Sequence, residues 1–287
     1  MPSVDTPAGT LWIEQRGTGG PSLLWWPGLF CQASVFEQVV RELPGFRHTL
    51  IDPPGHGRST ASRFSLDDCA TALLQIADQN GDEGCLVVGQ SWGAVVALKA
   101  ALRAPRRIAG LVLLHPIAEP DPWWVRLKNR MLLAMVTLLG MGRVTRSAIA
   151  RTVFSPQTPR SVVTEAFATT SGWSRRGLAR AVRAVLLERQ GFLFSLQQLR
   201  LPVEILVGRD DQAFPAPFGL RTAAAIRGAR HVVIDGVGHM SPLEDPCAVR
   251  RAVQRASARW QASAEPPCDS TSAADRQEAA GPSATSL

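Results

Sequence analysis

Ser91 stands in the pentapeptide Gly89-Gln90-Ser91-Trp92-Gly93, behind the apolar run 85–88 and ahead of a helical pattern over 91–102. In that setting a GxSxG sequence forms a nucleophile elbow, in which the serine takes a strained backbone conformation and the two glycines let strand and helix approach without a side-chain clash. Without that context the same residues make a tight glycine turn ending on a helix-capping serine. A serine hydroxyl is a weak nucleophile near neutral pH, so the chemistry needs a base within hydrogen-bond reach and an acid to orient that base. His239 lies in Gly236-Val237-Gly238-His239-Met240, a glycine-flanked loop just after the strand-like run 231–234. Loops at the carboxyl end of an open α/β sheet are where such sites gather. Of the other histidines, His56 in Pro54-Gly55-His56-Gly57 reads as structural, His115 as a hinge after its strand with a pocket role as the alternative, and His48 and His231 as strand-flanking residues. For the acid, Gly208-Arg209-Asp210-Asp211 follows the run 203–207, and spacing alone does not choose between its two carboxylates. Glu119 or Asp121 is a further substitute.

The elements that must hold these residues follow from periodicity. Runs 11–15, 23–26, 49–52, 85–88, 111–114, 203–207 and 231–234 read as strands, and 34–43, 65–80, 91–102, 217–226 and 246–260 as helices. The 65–80 pattern carries Ser65 as N-cap, Asp67 and Asp68 in its first turn and Gly81 as its stop. Alternating strands and helices predict a parallel sheet covered on both faces. After His115 the rhythm stops. Asp121-Pro122 is expected to open a helix running to Gly140, and 161–170 and 174–190 are helical with no strand between them. The part of the first helix over 131–139 is apolar all round, which predicts that it packs inward and roofs a pocket. Beyond about residue 262 the chain is Ala, Ser, Pro and Glu with little to bury, which predicts a disordered tail.

Composition sets the outer bounds. A chain of 287 residues with 45% hydrophobic and 19% charged residues is a globular protein with a sizeable core, which excludes wholesale disorder and collagen-like repetition. The longest apolar stretch, 131–140, is half of the roughly 20 residues a spanning helix needs, and the amino terminus shows no leader pattern. The expectation is a cytoplasmic enzyme with no transmembrane segment. Cys31, Cys69, Cys85, Cys247 and Cys268 are odd in number and lack metal-ligand spacing, so they read as reduced thiols, with neither a disulfide framework nor zinc. The net charge of +7 is concentrated: 117–195 holds twelve basic and four acidic residues, a net +8 that leaves −1 for the rest. A solvated face is the plain reading; a membrane surface, an anionic carrier or coenzyme A would also suit it, and no nucleic-acid motif accompanies the charge.

Four blocks together resemble the α/β-hydrolase superfamily, in the branch with a helical cap between the sixth and seventh strands. They are Trp25-Trp26-Pro27-Gly28-Leu29-Phe30, Asp52-Pro53-Pro54-Gly55-His56-Gly57-Arg58-Ser59, the serine elbow, and 236–246, and the likeness spans about 11–260. The resemblance implies a mostly parallel central sheet with helices on both faces, a core of 1–116 and 196–261, a cap of 117–195, and the tail 262–287. It implies the catalytic order Ser91, Asp211, His239, and prefers Asp211 to Asp210 because the family's GxxD pattern falls on Gly208 and Asp211. It places the oxyanion hole on the backbone N–H groups of Leu29 and Trp92. The chain has Pro27-Gly28 where the family usually has His-Gly, a departure that leaves a backbone donor intact but bears on subfamily. Phe30, Trp123 and Trp124 are expected to line the substrate pocket, and Cys31 to be an inert buried thiol.

The activity implied is a cofactor-independent and metal-independent serine hydrolase, cleaving an ester, thioester or lactone with a substantial apolar group through an acyl-enzyme. Enzymes of this fold with an aspartate nucleophile are argued against by Ser91. Carbon–carbon bond hydrolases and perhydrolase-type haloperoxidases keep the serine, and a non-catalytic small-molecule binding protein is the alternative from another class.

Overall fold

Alternate residues of the central strands point to opposite faces of one eight-stranded sheet, and both faces are covered. The computed structural model describes residues 2–81, 84–168 and 170–264. The strands are β1 (Ser3–Thr6), β2 (Gly9–Arg16), β3 (Ser22–Trp26), β4 (Arg47–Ile51), β5 (Cys85–Gln90), β6 (Ile108–Leu114), β7 (Val203–Gly208) and β8 (Arg230–Ile234). Their order is β1-β2-β4-β3-β5-β6-β7-β8, antiparallel from β1 through β2 to β4 and parallel from there on. Leu24, Trp26 and Val87 enter one core, while Leu23, Trp25, Leu86 and Val88 enter the other, which is why these runs are continuously apolar.

The helices are α1 (Glu37–Arg41), α2 (Leu66–Gln79), α3 (Trp92–Arg103), α4 (Trp123–Leu139), α5 (Arg143–Val153), α6 (Arg160–Ala166), α7 (Arg175–Val182), α8 (Ala216–Ala224), α9 (Ser241–Glu244) and α10 (Pro246–Ala264). Residues of α2, α3 and α8 fill the first core, and those of α1 and α10 the second. α2 begins as its sequence predicts: Ser65 Oγ accepts from Asp68 N–H at 3.1 Å while Ser65 N–H donates to the Asp68 carboxylate at 2.8 Å. In the parallel register Trp26 lies opposite Gly89, and Leu114 opposite both Gln90 and Leu206. The loops leaving β3, β5, β6, β7 and β8 therefore open on one edge of the sheet.

Several expectations need correction. β1 lies outside the strands read from periodicity, because SVDT has no apolar run and only Val4 of its four residues is buried. The helix predicted over 34–43 is a 3-10 turn, Ala33–Phe36, followed by the short α1. Between β6 and β7 the described residues form helices only, but they include α5, whose arginine-rich sequence hid its buried Thr145 and Ile149. Asp121 does not cap α4; its carboxylate pairs with the buried Arg189 guanidinium and accepts from Asn129 Nδ2 at 3.1 Å. The apolar stretch of α4 is not buried all round, since only Asn129 and Val136 of that helix are. α10 runs to Ala264, three residues into the stretch read as tail, and the rest of that stretch lies outside the described residues. No helix among the described residues is long and apolar enough to cross a membrane.

Candidate active site

Ser91 sits between the end of β5 and the start of α3 with φ 54° and ψ −107°, a conformation costing an L-residue about 1–3 kcal/mol. The two glycines of the pentapeptide are obligatory here. A Cβ on Gly93 would lie 1.9 Å from Trp26 O, and one on Gly89 would lie 2.3 Å from Gly93 O. The Ser91 side chain makes no capping hydrogen bond, so the reading of an ordinary helix-capping serine does not hold. It faces a cavity of about 500 Å³ that His239 also lines.

The loops after β7 and β8 bring Asp211 and His239 together, with His239 Nδ1 2.6 Å from Asp211 Oδ2. The other carboxylate oxygen accepts from Phe214 N–H at 2.8 Å. Asp210 turns away and accepts from the Ser155 hydroxyl at 2.7 Å. Since a carboxylate only accepts, His239 Nδ1 carries its proton toward Asp211, and Nε2 is left with a lone pair. Burial alone would raise the Asp211 carboxyl. Attraction to His239 and hydrogen bonds from His115 and His239 outweigh it and hold the carboxyl well below the ordinary carboxylate range.

His115 joins the same cluster. It directly follows β6 with φ 53°, fully enclosed, its Nδ1 3.1 Å from the same Asp211 oxygen and its Nε2 3.0 Å from Ser241 Oγ. Gly208 N–H also approaches Nδ1, at 3.3 Å, but the nearer, charged carboxylate decides the tautomer. His115 Nδ1–H thus donates to Asp211, and Nε2 accepts from the Ser241 hydroxyl. Burial pushes the imidazole below its ordinary value, so it donates as a neutral group. Among the described residues, His115, Asp211 and His239 are the grouping close enough to share a metal ion. Their facing atoms already bond one another, so an ion would have to displace both protons.

The loop after β3 is fixed on either side of Leu29. Gly28 N–H donates to Gln90 Oε1 at 2.8 Å, and Phe30 N–H to His56 Nε2 at 3.0 Å. Leu29 N–H lies between these committed neighbours, and Trp92 N–H is the first of α3, at the positive end of that helix. Burial pushes His56 down to about 4, which keeps it neutral and able to accept, while its Nδ1 donates to Pro54 O at 3.0 Å. Gln90 also reaches the loop after β8: its Nε2 donates to His239 O at 3.0 Å, so one side chain ties the Ser91 turn, the β3 loop and the histidine loop. Glu244 completes the frame. One oxygen accepts from Gly238 N–H and Met240 N–H, both at 3.0 Å; the other accepts from Ser155 N–H at 2.7 Å and the Thr158 hydroxyl at 2.6 Å. Sequence reasoning missed the roles of Gln90 and Glu244, and offered His115 a pocket role only as its second reading. The available signal was a polar Gln90 closing an otherwise apolar buried strand.

The cavity walls are mostly apolar. Phe30 and Leu29 lie near Ser91, and Trp124, Met131, Leu132 and Met135 contribute from α4. Trp124 lines the cavity; Trp123, one residue earlier and about 100° around the helix, points to solvent and does not line it. Cys31 is buried outside that lining, and burial pushes its thiol up to about 12.

The profile of the alpha/beta hydrolase fold family matches residues 19–246. A pimeloyl-[acyl-carrier protein] methyl ester esterase of Methylococcus capsulatus is 30% identical over 254 residues, covering 80% of this chain and 91% of that protein. Lipase LipV of Mycobacterium tuberculosis is 33% identical over 118 residues, covering 40% of this chain and 45% of the lipase. Among solved structures, a thermophilic esterase from Thermogutta terrifontis superimposes with a TM-score of 0.80 at 24% identity, over 88% of this chain and 96% of that one.

Proposed function

The chain belongs to the alpha/beta hydrolase fold family, and from that premise we propose that this hydrolase works through Ser91, Asp211 and His239 on an ester, thioester or lactone with a substantial apolar group. The observation that carries the reading is one cavity lined by both Ser91 and His239, with His239 Nδ1 held 2.6 Å from a buried carboxylate.

Ser91 Oγ attacks the substrate carbonyl while His239 Nε2 takes its proton, and Asp211 fixes the tautomer and stabilises the imidazolium. The backbone N–H groups of Leu29 and Trp92 donate to the developing oxyanion; a donor of this kind contributes about 3 kcal/mol in the transition state. The imidazolium returns the proton to the leaving alkoxide or thiolate, leaving an acyl-serine. Water then repeats the sequence with His239 as base, releasing acid and free Ser91. Residues 117–195 act as a cap over the core of 1–116 and 196–261, and their apolar wall receives the substrate's hydrocarbon. Each buried methylene contributes about 0.8 kcal/mol there.

A fluorophosphonate probe tests this. It should label the intact chain at Ser91, and Ser91→Ala should lose both labelling and hydrolysis of p-nitrophenyl butyrate while keeping the parent circular dichroism spectrum. Hydrolysis by Ser91→Ala at the parent rate would refute the reading.

A further inference from the structure

Trp123, Leu127, Met131, Ala134 and Leu138 follow one another along α4 at helical spacing and fall within an arc of about 80°. All five are exposed: Trp123 by 76%, Met131 by 66%, Leu138 by 71% and Leu127 by 52%. The opposite side of the helix is anchored by buried Asn129 and Val136 and by Leu132 and Leu133 packed on the core. Scattered exposed hydrophobics need no explanation, but a continuous stripe along a 17-residue helix, about 25 Å, does. Arg126 and Arg130 border the stripe on one edge and Lys128 on the other. From residue 122 to residue 164 the chain has seven Lys or Arg and no Asp or Glu.

We propose that α4 is an interfacial helix that seats the chain on an anionic lipid bilayer, with its stripe in the boundary between headgroups and acyl chains and its cationic edges at the phosphates. A second copy of the chain would set these cationic edges against each other. An acidic protein would have to offer an apolar trough about 25 Å long with acidic rims on both sides, whereas a bilayer supplies that combination everywhere on its surface. Continuity with the cavity points the same way. Trp124, Lys128 and Met131 line the cavity that holds Ser91, so an apolar substrate would pass from lipid into the site along one helix.

Binding is read on the Ser91→Ala chain of residues 1–287, so it stands or falls separately from the hydrolase reading. The chain is sedimented with vesicles of phosphatidylcholine, alone or with about 30 mol% phosphatidylglycerol. Affinity for the anionic vesicles should be about tenfold tighter or more, and should fall as salt rises from about 50 to 500 mM. Adding Trp123→Gln, Leu127→Gln and Leu138→Gln should weaken binding about tenfold or more with an unchanged thermal melt. Arg126→Gln with Arg130→Gln should shrink the preference for the anionic vesicles, and this pair decides alone where the triple variant melts early. The proposal is overturned if the anionic vesicles fail to sediment the chain, or if neither set of substitutions weakens binding. It is also overturned if light scattering shows a dimer that the triple variant dissociates, which gives the face to a second copy. Saturable capture of an acyl carrier protein through the stripe, without vesicle binding, overturns it in favour of a protein partner.

Discussion

Asp211 takes hydrogen bonds from two imidazoles on one oxygen and from a backbone N–H on the other, while Asp210 is engaged by Ser155. The neighbours therefore have different expected consequences. Asp211→Asn removes the acceptor that fixes the His239 tautomer and should lower kcat/KM by about 10³–10⁴-fold. Asp210→Asn should lower it less than about tenfold, because a bond to Ser155 touches neither His239 nor Ser91. Steady-state kinetics on one p-nitrophenyl ester decides, and the opposite ranking would move the acid to Asp210. At this scale the serine and its two glycines were legible because the clash that requires them lies within neighbouring residues and one adjacent strand. His115 and Glu244 were not. His115 meets Ser241 126 positions away, and Glu244 meets Ser155 89 positions away, and no local spacing encodes such meetings.

Secondary elements carried a different kind of information. Apolar runs identified β3, β5, β6 and β7 because those strands are buried on both faces, while β1, with one inward side chain, left no pattern to read. α4 shows where periodicity misleads: an all-apolar helix was expected to be covered, yet its outer side is bare. The helical segment is tied down where it starts and ends. The Arg189 guanidinium reaches both the Asp121 carboxylate and Glu119 O, and Phe192 N–H donates to Ala118 O at 2.9 Å. Arg189→Ala would leave a buried carboxylate without its partner and should cost about 3 kcal/mol of stability. Arg209, paired with Asp235 on the open surface, should be replaceable by alanine with no measurable change. Urea unfolding of both variants checks the contrast, and equal midpoints would mean the buried pair holds nothing.

Across the whole molecule, buried imidazoles tie stability to acidity. An unfolded histidine titrates near 6.5, whereas His56 stays neutral in the fold until about pH 4 and His115 is shifted the same way. Their contribution is complete above the unfolded value. As pH falls, the unfolded chain binds protons that the folded chain refuses, so stability is lost between about 6.5 and 4. His56 alone should make the chain about 2.5 kcal/mol less stable at about pH 4.5 than at 7.5, with His115 adding to the loss. Asp211 acts in a lower window, because its depressed carboxyl stabilises the fold until pH falls below the ordinary carboxylate range. Urea titrations at the two pH values test this, and equal stabilities would show that the imidazoles ionise in place.

Glu244 and the backbone bond from His239 N–H to Val153 O stitch the histidine loop to the end of α5. Lifting that end of the helical segment would withdraw the support from His239 in the same motion. On the proposed mechanism, a molecule open there is also idle: water admitted through that gap meets an acyl-serine with no base in place. Hydrolysis would then run only in the closed interval between such openings.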